Sequence, residues 1–96
     1  MNSSGTTALA TSSDAAITLL ASDGKLASNF VLVVTGAAAA GFLSLDGGNT
    51  WGYFPAGNGT NPFTLNLTNM RLGGQAVLLK RVASGTDVTG IFCWSA

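Results

Sequence analysis

The chain of 96 residues is long enough for one small domain, and 47% of its residues are hydrophobic, which excludes a compositionally disordered protein. Only 8% of the residues are charged, whereas about 25% is typical of soluble domains. The net charge is zero and histidine is absent, which excludes a basic nucleic-acid-binding surface, His-dependent catalysis and imidazole metal sites.

The low charge has two interpretations. A surface of Ser, Thr, Asn, Gly and Ala costs little free energy to desolvate, and this suits repeated contacts with other proteins. The alternative is an ordinary low-charge β domain of an extracellular protein. We favour the assembly subunit, and we expect a homo-oligomer with a trimer as its state.

The first 13 residues are rich in Ser and Thr and carry no charge. Such a segment cannot form a core of its own. We therefore interpret residues 1–13 as a flexible N-terminal arm and residues 14–96 as a single β domain. The arm could add a strand to the sheet of a neighbouring subunit, or it could simply fray.

Two strands are predicted in the next part of the chain. Residues 15–21 read as a strand in which Ile17 and Leu19 alternate with Thr18 and Leu20, and the Asp23-Gly24 pair that follows predicts a hairpin turn. Phe30–Thr35 is a continuous, largely β-branched run. Such a run predicts a strand that is covered on both faces, near the middle of a sandwich.

A membrane-spanning segment is a weaker alternative for the same region. The 20 residues between Lys25 and Asp46 are uncharged and long enough to cross a bilayer. However, Gly36 and Gly41 interrupt this stretch, and its β-branched half favours a strand. We therefore expect no membrane contact.

The stretch Ser44–Trp51 (SLDGGNTW) is predicted to form a tightly specified hairpin turn. Asp46 to Asn49 combine residues that accept a positive φ with an Asp side chain that can bond the turn backbone. Apolar residues lead into this stretch and aromatic residues lead out of it. The turn therefore fixes the register of its two strands.

The remainder of the chain continues the same alternation of short strands and turns. Residues 55–62 have the Pro, Gly and Asn content of a loop. Residues 63–68 alternate strictly between apolar and polar side chains. The apolar positions then shift by one residue, which predicts a bulge near Asn69. Strands are also predicted over 75–83 and 88–95. The whole chain is therefore expected to be an all-β protein, a small antiparallel β-sandwich or barrel of seven or eight short strands.

No catalytic, cofactor-binding or metal-binding residues are predicted. The four carboxylates are all Asp and lie in or beside turns, where turn chemistry accounts for them. One carboxylate at Asp46 is too few for calcium, which takes six to eight oxygen ligands. Cys93 is the only thiol, has no His partner and lies in an apolar strand, so we expect an inert core residue. We expect no enzyme.

Trp51, Tyr53 and Asn58 are the candidate ligand contacts. Aromatic faces beside an Asn-containing loop could stack on a sugar and hydrogen-bond to it. The competing interpretation is that Trp51 packs under its own hairpin and that Phe54 fills the core. We favour this second interpretation.

The stretch Ser44-x-Asp46-x-Gly48-x-Thr50-Trp51 resembles the Asp-box, whose pattern is Ser-x-Asp-x-Gly-x-Thr-Trp. The resemblance implies a structural hairpin in which the Asp bonds the turn backbone and the Trp packs inward. It covers eight residues and implies no activity, because sialidase-like propellers repeat the box several times and this chain has it once.

In size and composition the whole chain is similar to the small, Gly/Ala/Thr-rich, low-charge β proteins of tailed-phage virions. That likeness implies a structural virion protein of a bacteriophage, a capsid decoration or fibre-associated subunit located in the virion. Its partners would be other virion proteins of the capsid or tail. The alternative function is a carbohydrate-binding or adhesion module that uses Trp51, Tyr53 and the Asn58 loop.

Overall fold

The computed structural model of the chain describes residues 4–20, 28–35, 39–56, 62–68 and 75–95. Within these residues the chain forms eight short strands, in agreement with the seven or eight predicted. The strands are, in chain order, β1 (Ser4–Ala10), β2 (Ile17–Leu20), β3 (Asn29–Val34), β4 (Gly41–Ser44), β5 (Gly52–Phe54), β6 (Phe63–Leu67), β7 (Val77–Arg81) and β8 (Thr89–Ser95).

The strands form two antiparallel sheets that pack as a small β-sandwich. Sheet I has the strand order β1-β8-β3-β6, and sheet II has the order β2-β7-β4-β5. The ring of Phe54 in sheet II stacks on the ring of Phe63 in sheet I, with their centroids 5.4 Å apart. One cluster of buried apolar side chains spans both sheets. The predicted all-β antiparallel sandwich is confirmed.

The core is built from alternate positions of the strands, because successive side chains of a strand point to opposite faces. In β3 the inward side chains of Phe30, Leu32 and Val34 are completely buried, and in β7 so are those of Val77 and Leu79. The full buried apolar cluster comprises Leu9, Leu19, Leu20, Phe30, Leu32, Val34, Ala39, Leu43, Phe54, Val77, Leu79, Val88 and Phe92.

The prediction for the Phe30–Thr35 run is confirmed only in part. Its strand β3 lies between β8 and β6, in the interior of sheet I. Its second face is not covered, since Val31 and Val33 point away from the core and remain partly exposed. The prediction that both faces of β3 are covered is therefore wrong for a single copy of the chain. Nothing in the described part of the chain packs on the outside of sheet I.

The hairpin predicted at Asp23-Gly24 is wrong. Strand β2 pairs with β7 in sheet II, whereas β3 pairs with β6 and β8 in sheet I. The chain therefore changes sheet between β2 and β3, and the pair itself lies outside the described residues. An Asp-Gly pair favours a local reversal of the backbone but does not select the sheet that the next strand joins. The bulge predicted near Asn69 also lies outside the described residues.

Part of the predicted arm (residues 1–13) belongs to the sandwich. Strand β1 pairs with β8 along its whole length, and the side chain of Leu9 is buried in the core. Thr11 is also buried; its hydroxyl accepts a hydrogen bond from the Val88 amide at 2.9 Å and donates one to the Asp87 carboxylate at 3.1 Å. The division between a flexible arm and a body starting at residue 14 stays a prediction.

The prediction that Cys93 is a core residue is wrong. Its neighbours Phe92 and Trp94 stack on each other, with ring centroids 5.6 Å apart, and both belong to or pack against the core. Because side chains alternate along β8, Cys93 points to the opposite, outer face and is partly exposed.

Candidate functional site

The β4–β5 hairpin is closed by a side chain at the end of β4. Ser44 is completely buried, and its hydroxyl accepts a hydrogen bond from the Gly48 amide at 2.9 Å while donating one to the Asp46 carboxylate at 2.8 Å. Gly47 and Gly48 have φ values of 74° and 95°, in the left-handed region that glycine adopts without strain. The Asp46 amide also donates to this hydroxyl, at 3.4 Å. Two turn amides and one carboxylate therefore converge on a single buried hydroxyl.

The Asp46 carboxylate is occupied by its own turn. Its Oδ1 accepts a hydrogen bond from the Thr50 amide at 2.8 Å, in addition to the one from Ser44. These bonds, the one from the Thr50 amide first, hold the pKa of Asp46 below its ordinary value of 3.8. Asp46 is therefore an ionised acceptor for the turn backbone, and this arrangement makes a structural role the simplest account of the residue.

Three aromatic residues and Lys80 form an aromatic cluster on the outside of sheet II. The Nζ atom of Lys80 lies 4.2 Å from the ring centroid of Trp51 and 5.6 Å from that of Phe42. Phe42 also meets Tyr53 edge-to-face, with their centroids 5.7 Å apart. The pairing of β4 with both β5 and β7 produces the cluster, because it sets Phe42 opposite Tyr53 on one side and Lys80 on the other.

The candidate ligand contacts are only partly brought together. Trp51 and Tyr53 share the outer side of sheet II, and Asn58 lies outside the described residues. One face of Trp51 is covered by Lys80, and its ring also lies beside the Gly48 backbone. Tyr53 is 63% exposed, while Phe54 is buried in the core as the competing interpretation expected. Tyr53 is thus the one aromatic side chain among these that offers a largely uncovered surface.

An ion-pair network at the end of β7 occupies two further carboxylates. The Arg81 guanidinium donates from Nε to Asp14 and from Nη1 to Asp87, both at 2.8 Å. Asp14 also accepts the Ser84 amide at 2.9 Å, and this bond, followed by the one from Arg81, lowers the pKa of Asp14. The same pairing raises the pKa of Arg81. The network joins residues far apart in sequence, so strand patterning alone had no signal for it.

The outside of sheet I is uncharged. Its outward side chains include two adjacent cross-strand rows, and none of the four strands contains a charged residue. Ile91, in the middle, is 44% exposed. The charged residues that the structure describes lie elsewhere, in the turn, the ion-pair network and the aromatic cluster. We call this surface the outer face; it comprises Ala8, Ile91, Val33 and Thr64 in one row and Cys93, Val31 and Asn66 in the next.

An apolar groove of about 450 Å³ opens at the side of the sandwich where β5 and β6 are the edge strands. The inward side chains of β6 (Phe63, Leu65 and Leu67) form one wall and remain partly exposed. Asp46 is the single charged residue among those that line it. The apolar lining comprises Leu43, Leu45, Phe54, Phe63, Leu65 and Leu67.

Within the described residues, no group of three or more Cys, Asp or Glu side chains is placed to hold a metal ion. The same part of the chain contains no helix long and apolar enough to cross a membrane. Comparisons with protein-family models, with curated proteins and with solved structures found no match to this chain.

Proposed function

We propose that this protein is a structural subunit that works by binding other proteins, specifically a bacteriophage virion protein of the decoration or fibre-associated type. The uncharged outer face of sheet I is the observation that carries the proposal. Its β-branched and small side chains can be buried without desolvating any charge. The virion assignment rests on the likeness in size and composition to small phage β proteins, and homo-oligomerisation is part of the proposal.

The size of the outer face sets how it can be used. Four strands about 4.8 Å apart and five to seven residues long span roughly 20 Å by 20 Å, or about 400 Å². A specific interface of standard size takes about 800 Å² from each partner. The outer face would therefore supply about half of such an interface. A subunit of this kind needs a second contact surface, as expected of a protein held in a multi-subunit shell or fibre.

The test compares a lysine placed on the outer face with a lysine placed on sheet II. Ile91→Lys puts a charge on an already exposed position, so the fold should survive. Thr18→Lys is the matched control, because Thr18 is exposed on a strand of the other sheet. Size-exclusion chromatography with light scattering, followed by co-sedimentation with tailed-phage particles, measures both forms of assembly.

We expect Ile91→Lys to lower the oligomer mass or the particle-bound fraction, and Thr18→Lys to leave both unchanged. A wild-type protein that stays monomeric and binds no particle would remove the proposal. Equal behaviour of the two variants would show that the outer face is not a contact surface.

A carbohydrate-binding or adhesion module is the second candidate, and the 63% exposure of Tyr53 favours it. The position of Lys80 over the Trp51 ring weighs against it, because a sugar would have to displace the cation before stacking. A glycan array would show hits that Tyr53→Ala abolishes, and Lys80→Ala should strengthen them by uncovering Trp51. An array without hits for wild type and for Lys80→Ala would rule this candidate out.

A further inference from the structure

Within the described residues the sandwich has four edge strands, and these differ in how they discourage pairing with another chain. In sheet II, β2 carries a register shift between Thr18 and Leu20, and β5 is only three residues long. Short length and irregular register are devices that discourage edge-to-edge association. In sheet I, by contrast, β1 and β6 have continuous register with their inner neighbours and contain no charge.

Strand β6 also leaves apolar side chains uncovered. Leu65 is the register partner of Leu32, and both point toward the core. Leu32 is completely buried because β3 has a neighbour on each side, whereas Leu65, Phe63 and Leu67 stay partly exposed along the groove. The core is therefore complete at β3 and incomplete at β6. The other edge of sheet I differs, since Leu9 of β1 is already buried.

We propose that β6 of one copy pairs antiparallel with β6 of a second copy across a two-fold axis through Leu65. The inference rests on the proposed function, because it names a contact that the homo-oligomer uses. A two-fold contact gives a dimer in place of the trimer expected from the sequence. The pairing would extend sheet I into one eight-stranded sheet across the dimer. It would also bring the two apolar grooves together at the axis, so that each covers the other.

The sequence of β6 is self-complementary in this register. Phe63 lies opposite the partner's Leu67, and Leu65 lies opposite the partner's Leu65, so the apolar side chains of both copies meet on the core side. Thr64 lies opposite the partner's Asn66 on the outer side. No like charges face each other, because β6 contains no charged residue. Centring on Leu65 is also the only two-fold register that pairs all five residues of the strand.

The contact is short, which determines how it should be measured. Five residues of strand extend about 17 Å, so the contact buries less area than an interface of standard size. We therefore expect a reversible dimer whose fraction rises with protein concentration. A covalent trap at the two-fold axis converts that equilibrium into a product that can be counted on a gel.

Mild oxidation of cysteine variants in a Cys93→Ser background provides the trap. In the proposed register, the two copies of residue 65 are directly opposite, within the Cα separation of about 4.4–6.8 Å that a disulfide spans. The two copies of residue 64 are offset by two residues along the strands and lie beyond about 7 Å. Leu65→Cys should therefore cross-link and Thr64→Cys should not, although Thr64 is the more exposed residue.

A second pair of variants avoids oxidation. Leu65→Lys places like charges together at the axis, while the long Lys side chain can still direct its ammonium group to solvent. Thr18→Lys is the control, because Thr18 is exposed on sheet II and lies away from both β6 and the outer face. Sedimentation velocity should show loss of the dimer for Leu65→Lys only, with circular dichroism confirming the β fold of both.

The outcomes separate this inference from the proposed function. Selective cross-linking of Leu65→Cys supports the two-fold contact, even if Leu65→Lys fails to fold. Cross-linking of neither variant, or of both equally, overturns it. If wild type binds particles or forms an oligomer under those conditions, the proposed function stands with a different contact. A wild type that neither self-associates nor binds particles removes both.

Discussion

The two sheets share one core but present different surfaces. Sheet II contains the charged residues of the described strands, Lys80 and Arg81, and its edges are short or irregular. Its outside is covered by the aromatic cluster. Sheet I has no charged strand residue, an uncovered outer face and regular edges. The charged residues of the described strands thus lie in sheet II, and the protein contacts that we propose lie on the uncharged sheet I.

The largest effect should come from the interior of sheet I. Leu32→Ala removes a completely buried side chain from the central strand and should cost about 2–5 kcal/mol of unfolding free energy, because a cavity remains. Leu65→Ala removes the same atoms from the register partner at the edge, where solvent already reaches the side chain. We expect roughly half that cost.

Urea denaturation at low protein concentration measures both Leu variants without contributions from self-association. Equal costs for the two variants would contradict the distinction between a complete core at β3 and an incomplete one at β6.

The turn of sheet II should show the next largest effect. Ser44→Ala removes a completely buried hydroxyl, leaves the partly buried Gly48 amide without its acceptor and should cost about 1–3 kcal/mol. Ser13→Ala is a control, because the Ser13 hydroxyl accepts a hydrogen bond from the Ala15 amide at an exposed position. Its loss should cost less than about 0.5 kcal/mol. Chemical denaturation curves that coincide for Ser44→Ala and wild type would show that the buried hydroxyl does not hold the turn.

Lowering the pH should also destabilise the protein through this turn. The loss of unfolding free energy should be smaller than for Ser44→Ala, because the Asp46 side chain stays in place. Its folded-state pKa lies below the ordinary 3.8, so its stabilising contribution is present above the unfolded pKa and is lost as pH falls through the folded value. Stability should therefore drop as pH falls below about 4. Asp46→Asn should flatten part of that dependence, with Asp14 responsible for a further part, since its pKa is also lowered. Parallel melting temperatures of wild type and Asp46→Asn across this range would refute the assignment.

The smallest effect should be at the aromatic cluster. Lys80→Met removes the cation over Trp51 and should cost about 0.5–1 kcal/mol. Lys80→Arg keeps a cation at the same position and should retain most of the stability. Acrylamide quenching of tryptophan fluorescence should increase for the Met variant relative to the Arg variant. Identical quenching would indicate that Lys80 does not shield the Trp51 ring in solution.

The sequence alone determined the elements that depend on local chemistry. Alternation of apolar residues predicted several of the strands, because the period of side chains in a strand is two. The continuous run Phe30–Thr35 predicted the interior position of β3. The residues of the 44–51 turn predicted its hairpin, since the Asp, the Ser and the positive-φ glycines act within a few residues of one another. These interactions need no information from distant parts of the chain.

Only the tertiary structure decided which strands became neighbours and which faces stayed uncovered. Asp23-Gly24 was mistaken for a hairpin because the sheet that a strand joins depends on the packing of the whole sandwich. Alternation along β8 places Cys93 on the face opposite Phe92 and Trp94, and the packing of those two rings shows which face is the core. The outer face, the groove and the Arg81 network likewise arise from residues that are distant in sequence. Strand pairing and sheet packing bring such residues together, and no local pattern encodes them.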